Sequence, residues 1–171
     1  MSEEDNQKTH VIKADDQEDG TIRISHPFNP NSELYYSPLS DRVGMQRSQL
    51  AKGRIPPGKE SFELHSHRVQ EEFIFILEGK GELEIGEEKI ELGPGDYAGF
   101  PCDGLAHNLA NIGNVDLVYL MGGERSELEI AEFPRQGKIM VAGKDSLTLF
   151  DKDKGETYSL EAWRKLATKG D

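Results

Sequence analysis

Short apolar runs separated by Gly, Pro and Asp, with almost no helical periodicity between them, dominate the middle of this chain. The runs fall at 21–25, 46–55, 62–67, 72–77, 81–85, 89–92, 96–100, 105–111, 116–121, 128–133 and 138–141. Many short strands without intervening helices predict an antiparallel barrel or sandwich. The tightest links are Gly79-Lys80-Gly81, Gly86-Glu87 and Gly93-Pro94-Gly95. They supply residues that tolerate positive φ or fix a turn, as hairpin tips require. Glu72-Phe73-Ile74-Phe75-Ile76-Leu77 is apolar on both faces after its first residue, so it reads as a central strand covered on both sides. Ile74 and Ile76 are then expected to line the interior with Glu72, and Phe73 and Phe75 to pack outside.

The 171 residues suit one domain with flanking segments. Residues 1–20 are acidic and have little to bury, which predicts a flexible arm. The barrel is expected over 21–150 and a C-terminal segment over 151–171. Within that segment Leu160, Trp163 and Leu166 recur at nearly helical spacing behind Ser159, an acceptable N-cap, so a short amphipathic helix is expected over 159–168, with Trp163 anchoring it to the barrel. A net charge of -12 with scattered basic residues argues against nucleic acid and against an anionic membrane surface. No apolar run approaches the roughly 18 residues of a spanning helix. The acidic N-terminus lacks the basic-then-apolar pattern of an export signal, and Cys102 is the sole cysteine, which leaves no intrachain disulfide. Cytoplasmic location is the expectation.

The chemistry gathers on a few residues. His65-Ser66-His67 places two imidazoles two residues apart, and on a strand that spacing points both to one face. Alone, such a pair is often no more than polar surface. Glu72 opens an apolar strand where an inward carboxylate is costly unless it is paired or coordinated, and a cation would justify it. His107 lies in the alternating run Gly104-Leu105-Ala106-His107-Asn108-Leu109, so a third imidazole can join from a separate strand. Glu63 shares strand parity with His65 and His67, which makes it a candidate catalytic proton shuttle or a hydrogen-bond acceptor behind the ligands. Tyr35, Tyr36, Arg54 and Arg68 read as packing and surface charge.

These residues resemble the two motifs of the cupin superfamily. Gly58, His65, His67, Glu72 and Gly79 match the first, and the six residues between Glu72 and Gly79 select Glu72 over Glu71. Gly95, Pro101, Gly104, His107 and Asn111 match the second. Gly58 sits one residue further from His65 than the commonest form, and one extra residue separates Pro101 from Gly104; both departures fall in turns. The resemblance spans roughly residues 45 to 125. Looser similarity at Glu132-Phe133-Pro134 and Gly137-Lys138-Ile139-Met140-Val141 resembles a group of bacterial single-domain cupins mostly lacking assigned reactions.

The resemblance implies an all-β fold, the cupin double-stranded β-helix or jelly-roll barrel, with the short C-terminal helix appended. It implies that His65, His67, Glu72 and His107 are the protein ligands of one divalent transition metal. Three neutral imidazoles and a carboxylate suit manganese, iron, nickel, cobalt or zinc and leave two octahedral positions open. Within the family that set supports dioxygenases, isomerases, lyases and decarboxylases, while other members only bind sugars or small effectors. A metal-dependent enzyme acting on a small oxygen-bearing organic substrate is therefore expected, with non-catalytic binding of a sugar or organic acid as the alternative. Gly104 and Asn111 are expected to serve the turn, and Cys102 to behave as a small apolar residue. Family habit also implies a homodimer, formed by pairing sheets and exchanging N-terminal strands.

Overall fold

The computed structural model describes residues 10–167. In chain order its strands are β1 (Ile22–Ile24), β2 (Leu34–Pro38), β3 (Ser48–Ile55), β4 (Ser66–His67), β5 (Glu72–Glu78), β6 (Gly81–Ile85) and β7 (Glu88–Leu92), followed by β8 (Tyr97–Phe100), β9 (His107–Asn111), β10 (Leu117–Glu124), β11 (Glu129–Phe133), β12 (Lys138–Ala142) and β13 (Leu147–Asp151). Two short helices, α1 (Leu39–Arg42) and α2 (Leu160–Ala167), complete it.

The strands form one wall in the order β1-β2-β3-β10-β5-β8 and two smaller sheets, β13-β12-β11-β4 and β7-β6-β9. The smaller sheets meet where His65 and His107 exchange backbone hydrogen bonds, 3.2 Å from His65 N and 2.8 Å from His107 N. Together they make the second wall of a jelly roll. Ile55, Ile74, Ile76, Leu117 and Tyr119 from the first wall pack with Leu83, Leu92 and Leu109 from the second. Full burial of a side chain such as Ile76 stabilises the fold by about 1.5–3 kcal/mol. This apolar plug fills most of the barrel, so polar chemistry is confined to the end where β5, β4 and β9 begin.

The structure departs from the sequence expectations in several places. The run 62–67 is strand only at its end, because Leu64 N donates to the Glu63 carboxylate at 3.0 Å rather than to a neighbouring strand. β5 is central in its sheet, yet its outer face is not covered: Phe75 and Leu77 are 36% and 37% exposed. Ser159 caps α2 as expected, its Oγ accepting from Ala162 N at 3.1 Å. Trp163, however, does not anchor that helix. It is 58% exposed and meets the Tyr158 ring at 5.6 Å, because the Leu160, Trp163 and Leu166 stripe finds no apolar surface of the barrel to cover. Strands β2 and β13 carry no clear alternation and stand outside the predicted runs. The beginning of the acidic arm, residues 1–9, and the expected helix end at Thr168 lie outside the described residues. Glu18, further along the arm, pairs with Lys52 of β3 at 2.6 Å. Among the described residues no helix is long and apolar enough to cross a membrane.

Candidate metal centre

Four side chains converge at this end of the barrel. One ligand atom each from His65, His67, Glu72 and His107 lies within 4.8 Å of all the others. The backbone explains the meeting. His65 and His107 form a directly opposed antiparallel pair, so their rings share a face, with centroids 4.8 Å apart. His67, two residues on, returns to that face with its ring centroid 4.8 Å from that of His65. Glu72 enters from the opposite wall as the first residue of β5, where Gly123 of β10 lies beside it. A Cβ on Gly123 would stand 2.2 Å from the Glu71 carbonyl oxygen, so only glycine lets the two strands close up behind Glu72.

Each imidazole has its own orienting neighbour. His65 Nδ1 lies 2.7 Å from the Glu63 carbonyl oxygen, which fixes that nitrogen as the N–H and frees Nε2 to act as a ligand. The His107 ring stacks on Phe100, centroids 3.6 Å apart and 3° from parallel. His67 sits between two carboxylates, with Nε2 3.1 Å from Glu72 and Nδ1 3.5 Å from Glu129. Neither contact is in line for a hydrogen bond, so both His67 nitrogens, and His107 Nδ1, are buried without hydrogen-bond partners among the described residues. Orphaned buried ring nitrogens beside an inward carboxylate are the pattern expected of ligands arranged for a cation.

Burial, reinforced by the charge of neighbouring imidazoles, pushes His65 down to about 4 and His107 down to about 3, so both are neutral donors at physiological pH. Burial also acts to lower His67, but the Glu72 and Glu129 carboxylates outweigh it and raise its affinity for a proton. Burial acts to raise Glu72, and the surrounding imidazoles, His67 foremost, overcome it and hold the carboxyl below its usual range.

Glu63 does not take the expected place. Residues 61–64 are not a strand, so parity does not carry back to it, and its buried carboxylate points to Arg135 at 3.3 Å rather than lining the cavity. Only its carbonyl serves the site. Glu129, by contrast, was not legible as a site residue. It is 8% exposed and also accepts from Gln70 N and Ile130 N at 3.0 and 2.9 Å. Its signal in the sequence is parity with Ala131 and Phe133, which makes it a charge on a buried face. Asn111 keeps its expected scaffold role: its amide donates to the Ile55 and Val115 carbonyls at 2.7 and 2.8 Å.

Beside the cluster lies a cavity with about 30 Å³ of space for water-sized molecules, lined by His65, Glu72, His107, Phe100, Tyr119 and Met121 among others. That holds one or two waters. Gln49, Glu72 and Phe73 separate it from a wider surface groove of about 480 Å³, bordered by Met45, Glu71, Tyr97 and Glu124.

Comparison with known proteins places the fold. The Cupin domain family matches residues 52–123. A crystal structure from Acidithiobacillus ferrooxidans, described as a candidate sugar phosphate isomerase, superposes with a TM-score of 0.84 at 30% identity, covering 87% of this chain and 96% of that one. The oxalate-binding protein of Thermotoga maritima is 30% identical over 100 residues, 57% of this chain and 81% of that protein. An uncharacterized protein of Methanocaldococcus jannaschii is 38% identical over 74 residues, 43% of this chain and 58% of the relative's length.

Proposed function

The chain belongs to the cupin superfamily, and we propose that it holds one divalent transition metal on His65, His67, Glu72 and His107 and acts on a small oxygen-bearing organic molecule bound there. The observation that carries this reading is the convergence of four donor atoms within 4.8 Å, with buried imidazole nitrogens that have no other partner. When bound, the metal would supply Lewis acidity at a substrate oxygen or, as iron, chemistry with dioxygen. The protein's own part is to keep His65 and His107 neutral, to fix the ring of each ligand, and to exclude water with Phe100, Met121 and Phe73.

Size and charge narrow the substrate. Among the described residues no lysine or arginine lines the cavity or the adjoining groove, and the groove carries Glu71 and Glu124. A phosphate group needs cationic or amide donors, so the sugar phosphate suggested by the Acidithiobacillus relative fits poorly, and a short acid or hydroxycarbonyl compound fits better. Enzymes of dioxygenase, isomerase or lyase type remain within this reading. The name of the Thermotoga relative favours a second one, in which a small acid is held at the metal without turnover. A homodimer joined through exposed apolar strand faces is part of the proposal, supported by Phe75, Leu77, Leu149 and Phe150.

The test loads wild type and a His65→Ala/His67→Ala variant with manganese, iron and zinc in turn and measures bound metal. Loss of stoichiometric metal in the variant supports the site; undiminished binding refutes it. Incubation of the loaded wild type with short acids and hydroxycarbonyl compounds then separates the two readings, by product formation or by recovery of unchanged, tightly bound ligand.

A further inference from the structure

Between Ser61 and His65 the chain leaves its ladder, and one peptide unit there carries the contact that aims His65. Ser61 N donates to the Leu109 carbonyl at 2.8 Å and His65 N to the His107 carbonyl at 3.2 Å, so this stretch is tied to β9 at its two ends. The Glu63 carbonyl and the Leu64 N–H belong to one planar unit and point to opposite sides of it. The carbonyl accepts from His65 Nδ1 at 2.7 Å, and the N–H donates to the Glu63 carboxylate at 3.0 Å. Whatever holds the carboxylate therefore holds the carbonyl.

Arg135 holds it. Glu63 is 4% exposed, and among the described residues its carboxylate pairs with Arg135, Nη1 to Oε1 at 3.3 Å, the same oxygen that receives the Leu64 N–H. A buried carboxylate stripped of its cation moves towards water or another partner. Arg135 is itself anchored. Its Nη2 lies 2.8 Å from each oxygen of Glu84 on β6, and it stands in the turn Pro134–Gln136, closed by Gly137 at φ 59°. Glu84 faces Asn108 across the β6–β9 pair, next to His107. The guanidinium thus ties the sheet that carries His107 to the approach that carries His65.

An ion pair as exposed as the Arg135 side chain, at 47%, ordinarily contributes little. The burial of Glu63 and its grip on the 63–64 peptide give this pair a further task. We infer that Arg135 is a positioning residue of the metal centre: through the Glu63 carboxylate it holds the 63–64 peptide plane, whose carbonyl keeps the His65 proton on Nδ1 and leaves Nε2 to the cluster. This rests on the metal-site reading above. Charge alone predicts the opposite sign. Removing a cation near the site should tighten the binding of a metal ion, so weaker binding on loss of Arg135 separates position from charge.

Zinc affinity is measured by chelator competition on wild type, Arg135→Gln, Arg135→Lys, Glu63→Gln and the Arg135→Gln/Glu63→Gln double variant, with circular dichroism checking that each is folded at the assay temperature. Arg135→Gln binds zinc about tenfold more weakly, the loss typical of a residue behind a ligating histidine. Nitrogen-15 shifts of His65 in the metal-free protein, which loss of stability alone does not move, change from the Nδ1–H form in wild type to a mixture of both tautomers. Arg135→Lys keeps a cation but not the fork onto Glu84, and falls between the two. In the Glu63→Gln background the loss of Arg135 lowers zinc affinity no further, because a neutral amide needs no cation. Zinc affinity of Arg135→Gln at or above that of wild type, an unchanged His65 tautomer, or an equal loss with Glu63→Gln in place overturns the inference. Should Arg135→Gln not fold, the same outcomes are read on Arg135→Lys with and without Glu63→Gln. Failure of wild type to bind zinc overturns the metal-site reading instead, while the tautomer of His65 still shows whether Arg135 positions that ring.

Discussion

Replacing Glu129 by Gln is the most direct probe of how the site is held. Glu129 faces His67 Nδ1 at 3.5 Å from within the barrel, off line for a hydrogen bond as the ring stands; with Nε2 on a metal, a turn of the ring would let Nδ1–H donate to it, as a ligating imidazole normally does to such an acceptor. Gln keeps the size and one carbonyl acceptor, so the change isolates charge. A hydrogen bond to an ionised acceptor contributes about 1.5–3 kcal/mol and one to a neutral acceptor about 0.5–1.5, which leaves a difference of about 1–1.5 kcal/mol. Metal affinity should therefore fall about tenfold, at the lower edge of the tenfold to hundredfold range typical for such outer partners. Competition with a chromophoric chelator at pH 7.5 reads this directly. Glu132→Gln serves as control, because Glu132 alternates outward on the same strand and pairs with Arg68 and Lys152. An affinity unchanged in Glu129→Gln, or lowered equally in both variants, would refute the claim that Glu129 acts through His67.

Three further outcomes follow from the same geometry. Metal-free protein should lose stability as pH falls from 7 to 4: the unfolded chain protonates its imidazoles near 6.5, while folded His65 and His107 stay neutral until about 4 and about 3, so the unfolded state takes up more protons. The raised His67 works in the opposite direction, against two depressed imidazoles, and a net loss is expected; urea midpoints that stay flat over this range would contradict it. Gly123→Ala should cost about 1–3 kcal/mol and lower metal affinity as well, since its methyl meets backbone atoms of Glu71 and Glu72 that cannot swing aside. Light scattering at micromolar concentration should report a dimer, converted towards monomer by Phe75→Lys with Leu77→Lys; a monomeric wild type ends that proposal.

Much of this was legible in the sequence because strand parity is a strict rule where strands exist. His65 and His67 share a face, and Ile74 and Ile76 line the barrel, since a period of two leaves no other choice once one residue is placed. Parity failed at Glu63 for the same reason it succeeded nearby: the backbone at 61–64 leaves the ladder, and no local residue pattern announces that. Glu129 was hidden because its partner lies far away in sequence, on β4, so its inward charge had no visible purpose. Outer faces were illegible in a different way. An apolar side chain such as Phe75 or Trp163 signals that something covers it, and a single chain carries no information on whether that cover is intramolecular.

The same distinction between what a residue is and what it faces explains why the metal cluster can be precise while the pocket is small. Each orienting contact is drawn from a different element: the Glu63 carbonyl from the approach to β4, Phe100 from the end of β8, and Glu129 from β11. Glu72 pairs directly with Phe100 across β5 and β8, so the carboxylate, the stacking ring and His107 form a closed loop of contacts. A displacement of β8 would move His107 and Glu72 together rather than apart. The hydrophobic plug behind them fixes that loop to both walls of the barrel, which leaves room on the open side for only a small ligand. Rigidity of the ligand set and restriction to short substrates are thus two consequences of one packing arrangement, and loosening it at Phe100, by Phe100→Leu, should weaken metal affinity and widen ligand tolerance together.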